Sequence, residues 1–231
     1  MLKFGLVGGT GPAATVHYYL KIIQHLQTRK EDKHLPRLVI DSVDPVRIFN
    51  FVRTGDEKGL SAYLLETIQN LYQAGAKAAA FTGMTPHSVF KEVHALSPIS
   101  LVHIMDGVIE DCRRLNFRKL LLVGSNKTMC GGFAAEPFLA AGIEVVIPNE
   151  QERNEIQHIT EEEIEFGQKT EENVRHFIEL ISHAAQREGT EAVVLANTDL
   201  PTYLAGEELS FKTLDPVVSH IRKISDAILS E

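Results

Sequence analysis

Short apolar runs alternate along the chain with longer segments whose apolar residues recur at helical spacing, the pattern of a parallel sheet covered by helices. Strands are predicted near 3–8, 37–42, 77–82, 100–104, 119–124, 143–147 and 191–196, and helices near 12–29, 56–74, 86–94, 106–115, 130–141, 160–187 and 214–229. Thr160 with Glu163 has the spacing of a capping box, so a helix is expected to begin there.

The pattern repeats. FGLVGG at 4–9 returns as LLLVGS at 120–125, and AAAFT at 78–82 returns as AVVLAN at 192–197. The offset is 116 from Val7 to Val123 and 115 from Thr82 to Asn197. Two pairs at nearly one offset imply a duplicated α/β unit. The expected fold is therefore α/β with two pseudo-symmetric lobes, each a mostly parallel sheet flanked by helices, and a ligand cleft between them. The first lobe is expected to comprise 1–97 plus 208–231, with the last helix folding back onto it, and the second 98–207. Parallel sheets hold ligands outside the carboxyl ends of their strands. The polar motifs fall at such ends: Gly8 to Thr15, Asp41 to Arg47, Thr82 to His87, Gly124 to Thr128 and Asn197 to Asp199.

Composition narrows the partners. With 231 residues, 44% of them hydrophobic, the chain can bury a full core. The net charge of −8 is concentrated in residues 149–173, where nine Glu face only Arg153 and Lys169, so no basic patch for nucleic acid or an anionic membrane is evident. No apolar run reaches 18 residues, and the opening MLKFGLVGG carries no cleavable signal pattern, so a cytoplasmic location is expected. Cys112 and Cys130 have no paired spacing, which indicates neither a disulfide framework nor a metal site.

Gly9-Thr10-Gly11-Pro12-Ala13-Ala14 fits G-x-G-x-x-A after a strand, and Asp41 ends the next one, as in a dinucleotide site. Pro12, however, removes an amide donor, and Asp41 lies further along than the usual ~20 residues. A turn made by Gly11, with Pro12 starting a helix whose positive end faces a small anion, is the simpler account. At the other strand ends Thr82, Thr85, Asn197 and Thr198 hydrogen-bond without titrating near neutral pH, whereas Asp199 and His87 titrate.

Eight blocks, in order GLVGGTGPAAT, SVDPVRI, TGMTPH, LVHIMD, VGSNKTM, VVIPNEQER, ANTDLP and LDPVVSH, are spread over nearly all of the chain. Together they resemble the cofactor-independent aspartate/glutamate racemases. The resemblance implies a homodimer without cofactor or metal, an amino acid or carboxylic acid as ligand, and two cysteines exchanging the α-proton from opposite faces. The family patterns Cys-Thr-Asn-Thr and Gly-Cys-Thr-Glu are matched here by Thr82-Gly83-Met84-Thr85 and Ala196-Asn197-Thr198-Asp199, so Thr82 and Asn197 occupy the cysteine positions. By the same resemblance Arg47 contacts a carboxylate, and Thr10, Met84, Thr85, Thr128 and Thr198 line the ligand. Glu165 replaces the cation for a distal carboxylate. The function expected is a racemase-like protein that has lost the two-cysteine mechanism. It is either an isomerase or lyase using Asp199, His87 or Glu165, or a catalytically silent ligand-binding or regulatory protein; a dinucleotide enzyme is the third alternative. Cys130 is read as passive and Cys112 as buried in its helix.

Overall fold

The computed structural model describes residues 1–29, 34–164 and 167–230. It divides into two compact units, Met1–Gly107 with Val217–Glu231 and Val108–Pro216.

The first unit contains β1 (Phe4–Gly8), α1 (Pro12–Arg29), β2 (Leu38–Ser42), α2 (Pro45–Thr54), α3 (Glu57–Gln73), β3 (Ala78–Phe81), a 3₁₀ turn (Thr85–Val89), α4 (Phe90–Leu96) and β4 (Ser100–Val102). Its sheet is parallel, in the order β2-β1-β3-β4. After α5 (Asp106–Leu115), the second unit runs through β5 (Lys119–Val123), α6 (Asn126–Cys130), α7 (Glu136–Ala140), β6 (Glu144–Val146), α8 (Glu150–Glu162), α9 (Glu171–Glu188), β7 (Ala192–Leu195), α10 (Leu200–Tyr203) and β8 (Thr213–Leu214). Its sheet is also parallel, in the order β6-β5-β7-β8. The chain returns to the first unit as α11 (Pro216–Leu229). Substituting β5 for β1, β6 for β2, β7 for β3 and β8 for β4 converts one strand order into the other, so the duplication is a property of the fold.

The central strands are apolar throughout because both faces are covered. In the first unit, Phe4, Leu6, Ala78 and Ala80 face α1 and α11, packing on Tyr18, Ile22, Ile221 and Ile224. The alternate residues Val7, Ala79 and Phe81 pack on Ile48, Leu64 and Ile68 of α2 and α3. In the second unit Leu121, Val123, Val193 and Leu195 pack on Ile156 of α8 and on Phe177 and Ile181 of α9.

Several boundaries differ from expectation. β4 hydrogen-bonds to β3, and β8 to β7, so 98–107 belongs with the first unit and 208–216 with the second. α2 was not foreseen: Asp44 caps it through Val46 N–H at 2.9 Å, Pro45 occupies its first turn, and Gly55 ends it in the left-handed region at φ 70°. The helix expected over 160–187 is two helices. The capping box lies at Asn149 and Glu152, where each side chain accepts from the other's backbone N–H. Thr160 instead lies inside α8, donating to Ile156 O at 2.7 Å, and Thr170 caps α9.

Candidate active site

At the carboxyl end of β1 the chain turns through Gly9, whose φ of +93° and close approach to Val43 O admit no side chain. This turn presents Gly9 N–H to Thr15 Oγ1 at 3.0 Å in the first helical turn of α1. Thr15 Oγ1 also lies 3.0 Å from Thr82 Oγ1, and Thr82 donates to Val7 O at 3.2 Å. Thr82 is fully buried, so its hydroxyl ties β1, α1 and β3 together rather than facing solvent. Thr10, 7% exposed, has a buried hydroxyl with no partner among the described residues. Gly83 packs directly against it: a Cβ at Gly83 would lie 2.6 Å from Thr10 O.

Sheet register revises the internal alignment. Phe81 pairs with Val7, and Leu195 with Val123. The next residues, Thr82 and Ala196, donate backbone N–H groups to Val7 O and Val123 O respectively. Thr82 is thus the counterpart of Ala196, and Gly83 that of Asn197. The earlier pairing of Thr82 with Asn197 is one residue out, because a repeat read from runs of apolar residues does not fix where each strand ends.

His87 is 2% exposed, and both its ring nitrogens have backbone partners: Nδ1 lies 3.0 Å from Gly83 O, and Nε2 accepts from Ile104 N–H at 3.2 Å. With Nδ1–H donating to the carbonyl, the ring is neutral. Burial, followed by the neighbouring His103 and His220, holds its pKa well below the ordinary histidine value. Burial alone lowers His103 to about 4, and burial, foremost, lowers His220 to about 3. Both ring nitrogens of His87, the candidate acid or base, are thus engaged by backbone groups, and the ring joins the Gly83 turn to the segment after β4. Met84 is buried and Thr85 half-buried at the start of the 3₁₀ turn.

Arg47 lies in the first turn of α2, exposed, with its guanidinium carbon 4.1 Å from the centroid of the Tyr63 ring. Among the described residues no carboxylate lies within ion-pair distance of it. Neither Tyr63 nor Thr15 was singled out from the sequence. The T of GTGPAAT offered a weak signal for Thr15; Tyr63, on a different helix from Arg47, offered none.

In the second unit, Asn197 Oδ1 accepts from Asp199 N–H at 2.9 Å, an Asx turn that shapes the loop after β7. Desolvation raises the Asp199 carboxyl above the usual aspartate value. Thr198 is half-buried. Thr128 is buried, 3.1 Å from Ser125 Oγ at the cap of α6. Glu165 lies outside the described residues. Asp41, the acidic residue of the dinucleotide pattern, accepts from Asn70 at 2.9 Å. Cys112 is buried and its thiol is pushed up to about 11, chiefly by burial, while Cys130 is exposed. Among the described residues no three His, Cys, Asp or Glu side chains are grouped to hold a metal ion, and no helix is long and apolar enough to cross a membrane.

Two parallel sheets of one strand order, flanked by helices, define a duplicated α/β protein. The chain belongs to the Asp/Glu/hydantoin racemase family, whose model matches residues 7–224. It is similar to a candidate Asp/Glu racemase from Yersinia pestis (25% identity, TM-score 0.93). It is also similar to an aspartate racemase homologue from Pyrococcus horikoshii (32% identity, TM-score 0.85); both matches cover 100% of each chain. An aspartate racemase from Picrophilus torridus shares the fold at 19% identity and TM-score 0.70, over 99% of this chain and 94% of that one.

Proposed function

We propose that this protein binds a small amino acid or carboxylic acid at the carboxyl ends of its strands and does not racemise it by a two-thiolate mechanism. The observation that carries this reading is Arg47, a guanidinium held in the open with no carboxylate to neutralise it among the described residues. Its planar donors suit a ligand carboxylate. The unpartnered hydroxyl of Thr10 supports it, since a buried polar group ordinarily has a partner. So does the likeness to a candidate Asp/Glu racemase and to an aspartate racemase homologue.

Loss of the thiolate mechanism rests on side-chain chemistry. Thr82, Gly83 and Asn197 supply no thiol at either strand end, and the high pKa of Cys112 makes it a poor thiolate. Titration calorimetry with both enantiomers of aspartate, glutamate, asparagine and glutamine, on wild type and Arg47→Ala, tests the binding. It also reads the preference for one carboxylate over two that Glu165 implies. No binding by any of these, or equal binding by Arg47→Ala, would reject the reading. A second reading, an isomerase or lyase using Asp199 as acid or base, is favoured by the raised pKa of that carboxyl. Incorporation of α-deuterium from D₂O into a bound amino acid, abolished in Asp199→Asn, would establish it.

A further inference from the structure

We infer that Tyr63 is a positioning residue that holds Arg47 ready for a carboxylate, an assignment that rests on the carboxylate reading of Arg47 above. Tyr63 projects from α3 to the start of α2 and meets it twice. Its hydroxyl accepts from Asp44 N–H at 3.0 Å, next to the Asp44 side chain that caps Val46. Its ring receives the Arg47 guanidinium at 4.1 Å, and Phe51 supports that ring from α2 at 6.2 Å between centroids. The hydroxyl therefore fixes where α2 begins, and the ring fixes where its first-turn arginine rests.

The two contacts have different chemistry. The ring face attracts the cation through its quadrupole without using up the N–H donors, so the donors remain available for a carboxylate. An exposed arginine loses considerable rotamer freedom when it binds, and resting on the ring removes part of that freedom beforehand. An aspartate or glutamate in the place of Tyr63 would also have held Arg47, but would have competed with any ligand carboxylate.

Full-length protein tests the assignment by two routes. In wild type, the Tyr63 ring current should move the Arg47 δ-proton resonances upfield of their ordinary position; unshifted resonances would overturn the assignment. Phenylglyoxal labelling of Arg47, followed by peptide mass mapping, should be about two- to fivefold faster in Tyr63→Leu and change by less than about twofold in Tyr63→Phe, which keeps the ring. Labelling in Tyr63→Phe as fast as in Tyr63→Leu would overturn it too, transferring the role to the hydroxyl. If Tyr63→Leu does not fold, the wild-type resonances decide. Protection of wild-type Arg47 by L-asparagine reports separately on the ligand: protection supports both claims, whereas no protection with the ring effect intact rejects the carboxylate reading and leaves the Tyr63 assignment supported.

Discussion

Gly83 and Thr10 are packed backbone to backbone: a Cβ added at Gly83 would lie 2.6 Å from Thr10 O and 3.1 Å from Thr10 Cβ. Gly83 follows β3 by two residues, as Asn197 follows β7, so the first unit lacks a side chain where the second carries one. Gly83→Ala should therefore displace the β1 turn and destabilise the protein by about 1–3 kcal/mol, the usual cost of overpacking. Urea unfolding measures this; an unchanged midpoint would show that the Thr10 turn yields without cost.

Restoring thiols at the family's aligned positions should not restore exchange. Thr82 is fully buried and hydrogen-bonds to Val7 O and Thr15, so a thiol in its place would point into the same enclosed site. Thr82→Cys with Asn197→Cys is expected to show no α-proton exchange with aspartate or glutamate in D₂O. Exchange above the wild-type background would mean that the Thr82 side chain reaches ligand after all.

The sequence revealed the sheet cores more clearly than the connections. Runs such as AAAF and LLLV identify strands buried on both faces, and each is a central strand of the structure. β8 escaped notice because its two residues, Thr213 and Leu214, carry no periodicity. α2 carries proper start and stop signals in Asp44-Pro45 and Gly55, but its ten residues are too few for the apolar spacing of PVRIFNFVRT to stand out. Thr160 and Glu163 fit a capping box by spacing alone, but spacing says nothing of whether the preceding residues are already helical. Thr82 and Asn197 do follow the strands β3 and β7 that the apolar runs mark, whereas the partners of Thr82 and His87 depend on contacts between elements far apart in sequence.

Glu163 joins the turn between α8 and α9 to α10. It accepts from Thr170 N–H, Thr170 Oγ1, Asn173 Nδ2 and Tyr203 OH at 2.8–3.1 Å. Burial pushes its carboxyl up, but these hydrogen bonds together outweigh burial and hold it below the ordinary glutamate value. Glu163→Leu leaves several donors without an acceptor and should cost at least about 2 kcal/mol. Hydrogen exchange should accelerate at Tyr203 and Leu204; unchanged protection there would separate Glu163 from α10.

Mild acid should weaken the fold through its histidines. His87, His103 and His220 are neutral when folded, with pKa values lowered chiefly by burial, to about 4 for His103 and about 3 for His220. The unfolded chain takes up these protons near pH 6.5, so the stabilisation is complete above that pH and declines as pH falls toward the folded values. Glu152 and Glu163, whose pKa values are lowered, add to the loss only once pH falls into the ordinary carboxylate range and below it. The urea midpoint should therefore drop between pH 7.5 and pH 5; a flat profile over that interval would contradict it.

The first unit is built from two stretches of chain that flank the second. During synthesis from the amino end, Phe4, Leu6 and Ala80 are made early, but Ile221 and Ile224, which cover that face of the sheet, arrive only after the whole of Val108–Pro216. The second unit, one uninterrupted stretch, is thus the first to have all its parts, and the nascent first sheet must wait with an apolar face exposed. Such a face is a target for chaperones and a route to aggregation. Slow translation anywhere between Val108 and the returning helix should accordingly lengthen that exposure.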